Sequence, residues 1–490
     1  MFVAGVLREL FTVFFVFLHV QNRAMTTARN IPTTEGGLPL PRRIWAMVAI
    51  AFGVTTSVIN GAIVSVALPT LSVEMSISSA DSVWAVNSYQ LATVMSLLIF
   101  SSVGERTSYR RVYVAGLTLF AFASLGCALS ANFTALVIFR ALAGVGAAAV
   151  TSINTTLIRI VYPIDRLARG LSLNATIVAL SSVAGPSLAS AILSFASWQW
   201  LFAVNIPFAV VAALLSFGFL PDNPERGARG RLNIADCTLN ALTFGLLIFS
   251  IEAFSHNSAW WIPASTLALL GIVGTIYVRR QLHATTPLLP FDLLRIPIFT
   301  LSILTSICSF TAQMLAMVSL PFILQHTADY SDVETGLLLT AWPVVIMFIA
   351  PIAGRLVERV HAGILGLSGL SIMTLGLVLL GFIDHTTSTT EIVIRLALCG
   401  AGFGIFQSPN NSIMIASAPA ARSGSASGML ATARLVGQSS GAALVALIFH
   451  LADGATSAAP LFVAAGFAAT GAILSASRIR LPLPEILRHK

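Results

Sequence analysis

Polar side chains stand inside long apolar segments of this sequence, where each of them needs either a partner or a ligand. Asn60 and Gly61 lie side by side in "SVINGAIVSVALP" (57–69). An Asn-Gly pair usually marks a turn, but backbone groups in so apolar a segment must be satisfied within a helix. We interpret Gly61 as a close-packing position. Asn60 is then either a hydrogen-bonding group between helices, contributing about 0.6 to 2 kcal/mol, or a group that lines a substrate pathway.

A second set of polar groups lies in "WAVNSYQLA". Asn87 and Gln90 are three residues apart, so they share one helical face at about the depth of Asn60. Trp84 and Tyr89 beside them fit a binding site as well as they fit the aromatic belt at a membrane interface. We include all four as candidates for the pathway.

A third set lies in "GIFQSPNNSIM", where Pro409 frees a backbone carbonyl among three amides, Gln407, Asn410 and Asn411. Polar side chains at this density inside an apolar segment predict a surface that faces a cavity.

Three arginines and one acid also interrupt apolar segments, and charges inside a bilayer are functional candidates by default. Arg140 and Arg434 are the best placed of them for the pathway. Arg395 lies near a segment end, where it could reach the interface instead. Glu252, also near a segment end, is a weaker candidate for proton coupling.

These segments are the elements that must position the polar groups, and they are transmembrane helices. Of the 490 residues, 56% are hydrophobic and 9% are charged, and about 20 apolar residues suffice to cross a hydrocarbon core. The sequence predicts fourteen spans: 44–68, 82–103, 112–131, 133–157, 171–194, 198–220, 237–254, 259–278, 298–325, 335–354, 362–383, 391–416, 425–449 and 458–477.

The basic residues predict how the chain lies in the membrane. With the N-terminus inside, 24 of the 27 Lys and Arg fall in the terminal segments or in the even-numbered connections. The positive-inside rule then predicts a multi-pass protein of the cytoplasmic membrane with both termini in the cytoplasm. The net charge of +8 is thus explained by membrane topology, and we expect no nucleic-acid partner.

The sequence also argues against several kinds of chemistry. The four cysteines have no close spacing and the eight histidines form no HxxxH pair, so we expect no metal site. A Walker loop needs a lysine on the phosphates, and Lys490, the last residue, is the only lysine. We expect a protein that is not an enzyme, holds no cofactor, and works as a monomer in the bilayer.

An internal repeat divides the chain. We predict an N-terminal cytoplasmic or surface segment (1–43) that includes Met25 as an alternative translation start, a six-helix half (44–220), linkers around an extra two-helix hairpin (221–297), a second six-helix half (298–477) and a cytoplasmic tail (478–490). "GERTSYRR" and "GRLVERVHAG" occupy matching places in the two halves, as do "RALAGVGAAA" and "RLALCGAGFG". Two facing halves with a central cavity that opens to either side indicate a transporter.

At these motifs the chain resembles the major facilitator superfamily, specifically its fourteen-span drug:proton antiporter family, over residues 44 to 480. "INGAIVSVALPTL" is similar to the first-span signature of that family, "GERTSYRR" to the loop after span two, "RALAGVG" to the fourth-span motif, and "SSVAGPSLAS" to the antiporter motif of span five. The resemblance implies an all-α major facilitator fold and efflux of small amphipathic molecules by alternating access, powered by the proton gradient.

The resemblance also implies roles for individual residues. A breakable charge contact at the cytoplasmic ends would form a gate, and Gly185 with Pro186 would let span five bend and pack closely, sealing the cavity against proton leak. We assign five charged residues of the two matching loops to the gate: Glu105, Arg106, Arg110, Glu358 and Arg359.

One departure from the family pattern affects the mechanism. The first-span signature ordinarily carries Asp where this chain has Asn60, and an amide cannot bind and release a proton. The leading hypothesis is proton-coupled efflux through another titratable group. The alternatives are an uncoupled facilitator or metabolite exporter of the same fold, and a sensor that no longer transports. The absence of that negative charge weakens the case for lipophilic cations as substrates and strengthens the case for neutral or anionic amphiphiles.

Overall fold

The protein is all-α along the described part of the chain. The computed structural model describes residues 37–163, 166–222, 233–253, 261–284, 287–357, 359–418, 423–451 and 457–481. The principal helices are α1 (Leu40–Val66), α2 (Trp84–Arg106), α3 (Tyr109–Ala128), α4 (Phe133–Val161), α5 (Leu167–Leu193), α6 (Asn205–Phe219), α7 (Ile234–Ala253), α8 (Trp261–His283), α9 (Pro297–His326), α10 (Asp332–Leu356), α11 (Ala362–Leu380), α12 (Thr389–Ser417), α13 (Ser423–Leu451) and α14 (Ala459–Ser477).

The predicted number of spans is confirmed, since fourteen helical segments of the described chain are long and apolar enough to cross a membrane. Short helices, Ser79–Ser82 and Gln199–Ala203, lead into α2 and α6, and another, Leu68–Glu74, follows α1. Local sequence fixes several of the starts. Ser331 and Ser388 form capping boxes with the glutamates three residues later, which satisfies free backbone N–H groups at the first turns of α10 and α12.

The six-helix halves repeat each other in how their fourth helices pack. A Cβ placed on Gly144 of α4 would lie 2.3 Å from the Tyr89 carbonyl oxygen of α2, and one on Gly400 of α12 would lie 2.4 Å from the Trp342 carbonyl oxygen of α10. No side chain fits at such distances, so in both halves glycine allows two helix backbones to touch.

The hairpin of α7 and α8 lies at the periphery of the bundle. Only 11% of the residues in the most apolar stretch of α8 are buried, compared with 78% in α9. Asn240 of α7 donates to the Met95 carbonyl oxygen of α2 (3.1 Å) and accepts from the Tyr277 hydroxyl of α8 (2.9 Å). Through this buried amide the hairpin is hydrogen-bonded to the first half.

The two ends of the bundle differ in how the halves meet. We call the end that carries Arg106, Arg279 and Arg355 the basic end, and the other the opposite end. Towards the opposite end, one hydrophobic core includes helices of both halves. At the basic end, one core belongs to the first half alone, and another joins the second half to the hairpin and to Leu98 of α2. The halves are therefore packed together more extensively towards the opposite end.

Two polar contacts also join the halves. The Thr70 hydroxyl donates to Asp332 Oδ1 (3.0 Å), and Ser187 of α5 shares a hydrogen bond with Thr340 of α10 (2.8 Å). Both pairs lie in the part of the bundle that leads to the opposite end, so hydrogen bonds and the shared core close the same side.

Candidate functional site

A fully buried arginine lies at the centre of the first half. Arg140 of α4 has no exposed surface. Its Nε donates to the Ala85 carbonyl oxygen (2.6 Å), and one of its terminal nitrogens donates to Asn60 Oδ1 (2.7 Å). The contact accounts for the amide in α1: Asn60 is 1% exposed and its oxygen accepts from a cation. The side chain thus links α1, α2 and α4.

Aromatic rings complete the surroundings of this guanidinium. Arg140 lies over the ring of Tyr89, 4.5 Å from its centroid, and 5.8 Å from the centroid of Phe202. The Tyr89 hydroxyl donates to the Ser57 carbonyl oxygen of α1 (3.2 Å). The aromatic faces stabilise a cation that has been removed from water. Ser57 and Phe202 were not among the residues predicted from the sequence.

The other candidates on α2 lie close to this centre. Asn87 and Gln90 are buried, and Trp84, at the first position of α2, is half-buried. Thr93, one turn further along, donates to the Gly144 carbonyl oxygen (3.1 Å), so α2 is fixed to α4 at the same level. The structure brings these residues together with Asn60 and Arg140, and their role in a pathway stays a prediction.

Arg434 of α13 is the second arginine near the centre. It is half-buried and lies 5.7 Å from the centroid of the Phe310 ring of α9. It is also within electrostatic range of Tyr89. Since Tyr89 belongs to the first half and Arg434 to the second, this is the place where the central polar groups of the two halves approach each other.

The amides of α12 separate into two groups. Gln407 and Asn411 are half-buried, whereas Asn410 is 1% exposed. Asn410 Oδ1 accepts from Arg478 (2.5 Å), and its amide nitrogen donates to Ser306 Oγ (2.8 Å). Asn410 therefore takes part in a contact between helices that the sequence analysis did not predict.

Arg478 itself departs from the expected cytoplasmic tail. It lies in a 3₁₀ turn (Arg478–Arg480) that continues α14, and the Arg478 side chain has no exposed surface. Besides Asn410, it donates to Ser302 Oγ (2.9 Å) and Ser475 Oγ (2.5 Å), so it joins α9, α12 and α14 at the basic end. The sequence signal was weak, because an arginine just after an apolar segment is typical of a solvated flank.

Arg395 does not repeat Arg140 in the second half. Arg140 precedes Gly144 by four residues, whereas Arg395 precedes Gly400 by five, and a shift of one residue turns a side chain by about 100° around the helix axis. Leu396 takes the position that matches Arg140 and is fully buried. Arg395 instead donates to the Leu379 carbonyl oxygen at the end of α11 (2.8 Å).

The predicted gate residues cluster at the basic end. Arg106 donates to the hydroxyl of Ser102 in its own helix. Arg110 forms a salt bridge with Asp222 (2.9 Å), which also accepts from the Ser108 hydroxyl (3.2 Å). Asp222 is a partner that the sequence analysis missed, although it directly follows the sixth span.

The remaining gate candidates are accessible or undescribed. Glu105 and Arg359 are exposed, and Glu358 lies outside the described residues. The side chain of Glu252 lies outside them too. The gating role of this set stays a prediction.

Gly185 and Pro186 lie where α5 meets its two neighbours. A Cβ on Gly185 would lie 2.7 Å from Ala62 Cβ of α1, and one on Gly336 of α10 would lie 2.8 Å from the Pro186 carbonyl oxygen. That carbonyl accepts from the Ser190 hydroxyl (3.1 Å). The glycines thus let α5 touch α1 in its own half and α10 in the other.

Among the described side chains, the charges of the central region are all positive. Every carboxylate whose side chain the structure describes lies in a connection or within three residues of a helix end: Glu74, Asp81, Glu105, Asp222, Asp236, Asp292, Asp329, Asp332, Glu334, Asp384 and Glu391. Nor do any three His, Cys, Asp or Glu side chains within the described ranges cluster to hold a metal ion. The centre carries two guanidinium charges with amides, hydroxyls and aromatic rings around them.

Comparison with known protein families supports the same architecture. The model of the Major Facilitator Superfamily matches residues 50–442. The chain belongs to the Major Facilitator Superfamily. Its helical fold and the fourteen apolar helices of its described residues are those of a membrane transporter of this superfamily.

Relatives of this chain include transporters of several kinds. It is 51% identical over 446 residues to the uncharacterized transporter YebQ of Escherichia coli (strain K12), covering 91% of this chain and 98% of the relative. It is 26% identical to the riboflavin transporter RibZ of Clostridioides difficile (strain 630), covering 82% and 87%. It is 25% identical to the multidrug resistance protein Stp of Mycobacterium tuberculosis (strain ATCC 25618 / H37Rv), covering 82% and 75%.

Solved structures of low sequence identity share the fold. A D-xylose-proton symporter superimposes with a TM-score of 0.64 at 13% identity, over 91% of this chain and 99% of the symporter chain. A POT family transporter in complex with a thioalcohol-conjugated peptide gives a TM-score of 0.66 at 14% identity, over 89% and 95%. At these identities the likeness concerns the fold alone.

Proposed function

We propose that this protein exports small amphipathic molecules from the cytoplasm by alternating access. The observation that carries the proposal is the central polar cluster of Asn60, Tyr89 and Arg140, which lies in the first half where Arg434 of the second half approaches it. A buried cluster of this kind between two repeated halves supplies polar contacts for a solute and lies where a rocking motion would expose it to either side.

The orientation follows from the charges. Basic residues favour the cytoplasmic side of a membrane, so the basic end faces the cytoplasm in this proposal. The shared core towards the opposite end supports taking this structure, within the proposal, as a state closed on the outer side. Export then requires the contacts Thr70–Asp332 and Ser187–Thr340 to break while Glu105 and Arg106 close the basic end with the matching loop of the second half.

Proton coupling is part of the proposal in its leading form. The close packing of Gly185 on Ala62 supports a sealed path, and the relatives include a multidrug resistance protein. One observation favours a second form, uncoupled transport: Asn60, which replaces the usual acid, holds Arg140 through an oxygen that does not titrate.

The test uses purified protein in liposomes that contain a pH-sensitive dye. A cationic probe (tetramethylrhodamine methyl ester), a neutral one (chloramphenicol) and an anionic one (carboxyfluorescein) are added in turn under an imposed pH gradient. Substrate-dependent proton flux would support antiport. Movement of a probe without proton flux would support the uncoupled form, and movement of none of the three would overturn the proposed function.

A matched variant separates carrier-mediated transport from leak. In Ser187→Cys/Thr340→Cys, oxidation should form a disulfide that joins α5 to α10, because the hydroxyl oxygens of the two native side chains are 2.8 Å apart. We expect transport to stop on oxidation and to return on reduction. Transport that continues through the oxidised protein would contradict alternating access.

A further inference from the structure

Two guanidinium groups from different halves act electrostatically on a single tyrosine. Arg140 of the first half lies over the face of Tyr89, 4.5 Å from the ring centroid, and Arg434 of the second half acts electrostatically on the same side chain. Like charges that approach each other in a medium of low dielectric repel strongly. An anion between the halves would relieve that repulsion.

The two arginines differ in what already satisfies them. Arg140 is fully buried and donates to Ala85 and Asn60. Arg434 is half-buried, and within the described chain its contact is the ring of Phe310, with no hydrogen bond or salt bridge to an oxygen. A guanidinium carries five donors in a fork that matches a carboxylate or a phosphate. Arg434 therefore has free donors and some accessible surface. Arg140 has a terminal nitrogen without a hydrogen-bond partner in the described chain, but its side chain is wholly enclosed.

The packing of α13 directs Arg434 towards the interior of the bundle. Gly437 and Gly441 follow it at helical spacing, and a Cβ on either would lie within 2.7 Å of a backbone oxygen of α9. Arg434 shares that face. Its neighbours Phe310 and Tyr89 are 3% and 5% exposed, so the accessible part of the guanidinium lies beside buried aromatic rings.

We propose that the substrate is an amphipathic organic anion whose carboxylate, sulfonate or phosphate binds to Arg434 while its apolar part packs on Phe310 and Tyr89. The assignment rests on the proposed transport function but not on its proton coupling. It also removes the need for a central proton carrier, because an interior-negative membrane potential drives anions outwards. A potential of about 100 mV sustains an outside-to-inside concentration ratio of roughly fiftyfold for a univalent anion.

Binding is tested first, with protein in detergent and without any transport step. Fluorescence anisotropy reports the affinity of carboxyfluorescein and, separately, of tetramethylrhodamine methyl ester, which shares the three-ring core and carries a positive charge. We expect Arg434→Gln to weaken carboxyfluorescein binding about tenfold, the effect of losing a charged hydrogen bond. Arg434→Lys should recover part of the loss. Arg279→Gln, which removes an exposed charge from the peripheral hairpin, is the matched control.

Transport is then measured in liposomes that have equal concentrations of carboxyfluorescein inside and outside, with an interior-negative potential set by a potassium gradient and valinomycin, so that the potential is the only force that drives net efflux. We expect efflux that stops when the potential is removed, that is independent of a pH gradient, and that is reduced in Arg434→Gln but not in Arg279→Gln.

The outcomes distinguish the two proposals. Arg434-dependent binding of carboxyfluorescein without movement of any probe would support the ligand assignment and overturn the transport function. Movement of the cationic or neutral probe with no binding of the anion would support transport and overturn the anion assignment. Equal anion binding by the wild type and Arg434→Gln would also overturn it.

Discussion

Helices α4 and α12 occupy the same place in the two halves, yet only one of them brings a charge to the centre. Both touch a neighbouring helix through a glycine, Gly144 on Tyr89 and Gly400 on Trp342. Four residues before its glycine, α4 carries Arg140, whereas α12 carries Leu396. The repeat therefore preserves the backbone packing of the halves and leaves their central chemistry different.

The two fully buried arginines of the described chain both donate to neutral oxygen acceptors. Arg140 and Arg478 are both fully buried, and each donates to an asparagine oxygen, Asn60 at 2.7 Å and Asn410 at 2.5 Å. Aromatic rings surround Arg140, while serine hydroxyls surround Arg478. We interpret Arg140 as an enclosed charge whose field acts on the central region, and Arg478 as a contact that holds three helices together at the basic end.

The largest effect is expected where the halves are alike. Gly144→Val and Gly400→Val would each force a side chain onto a backbone oxygen of a neighbouring helix, so each should destabilise the protein by about 3 kcal/mol. Thermal unfolding in detergent, followed by tryptophan fluorescence, measures both. A large loss in one half and none in the other would break the equivalence of α4 and α12.

A smaller effect should separate the two arginines of these helices. Arg140→Gln removes one of the two central charges, and we expect transport per folded molecule to fall about tenfold because charged hydrogen bonds are lost. Arg395→Gln removes a contact to the end of α11 and should change transport less than twofold. Liposome assays on protein normalised for folded content check this pair, and equal losses would contradict the distinction.

An identical substitution in the two asparagine clusters should change selectivity in only one. Asn60→Asp would place a carboxylate beside Arg140 and reduce the positive potential at the centre, so the ratio of anionic to cationic probe transported should fall about threefold. Asn410→Asp, beside Arg478 at the basic end, should leave that ratio unchanged. A shift of similar size in both variants would remove the reason for assigning different roles to the two clusters.

The smallest effect concerns the start of α11. His361 Nδ1 accepts from the Gly363 backbone N–H (3.0 Å), and burial lowers the pKa of His361 below its ordinary value of 6.5. The unfolded chain then binds more protons than the folded one just below that pH, so stability should decrease as the pH falls from above 6.5 through the lowered pKa. Unfolding temperatures at several pH values measure the slope. His361→Asn, which keeps a capping acceptor but does not titrate, should flatten it, and an unchanged slope would exclude His361 as its source.

The sequence by itself determined the features that depend on local composition. Apolar runs of sufficient length predict the fourteen spans, since every backbone group in lipid has to be satisfied within a helix. The matching motifs of the two halves predict the repeat. The amides of α1, α2 and α12 and the arginines of α4 and α13 could be named as candidates, because a polar group in such a run is expensive without a partner.

Only the tertiary structure decided which partners these groups have. Asn60 with Arg140, Asn410 with Arg478, and Arg110 with Asp222 are pairs distant in sequence, and the offset of Arg395 becomes meaningful once Gly400 is seen to touch α10. Hydropathy and charge are properties of single residues and their near neighbours, so they fix where each helix crosses. The contact of one helix face with another depends on rotation about the helix axis, and only the packed bundle sets that rotation.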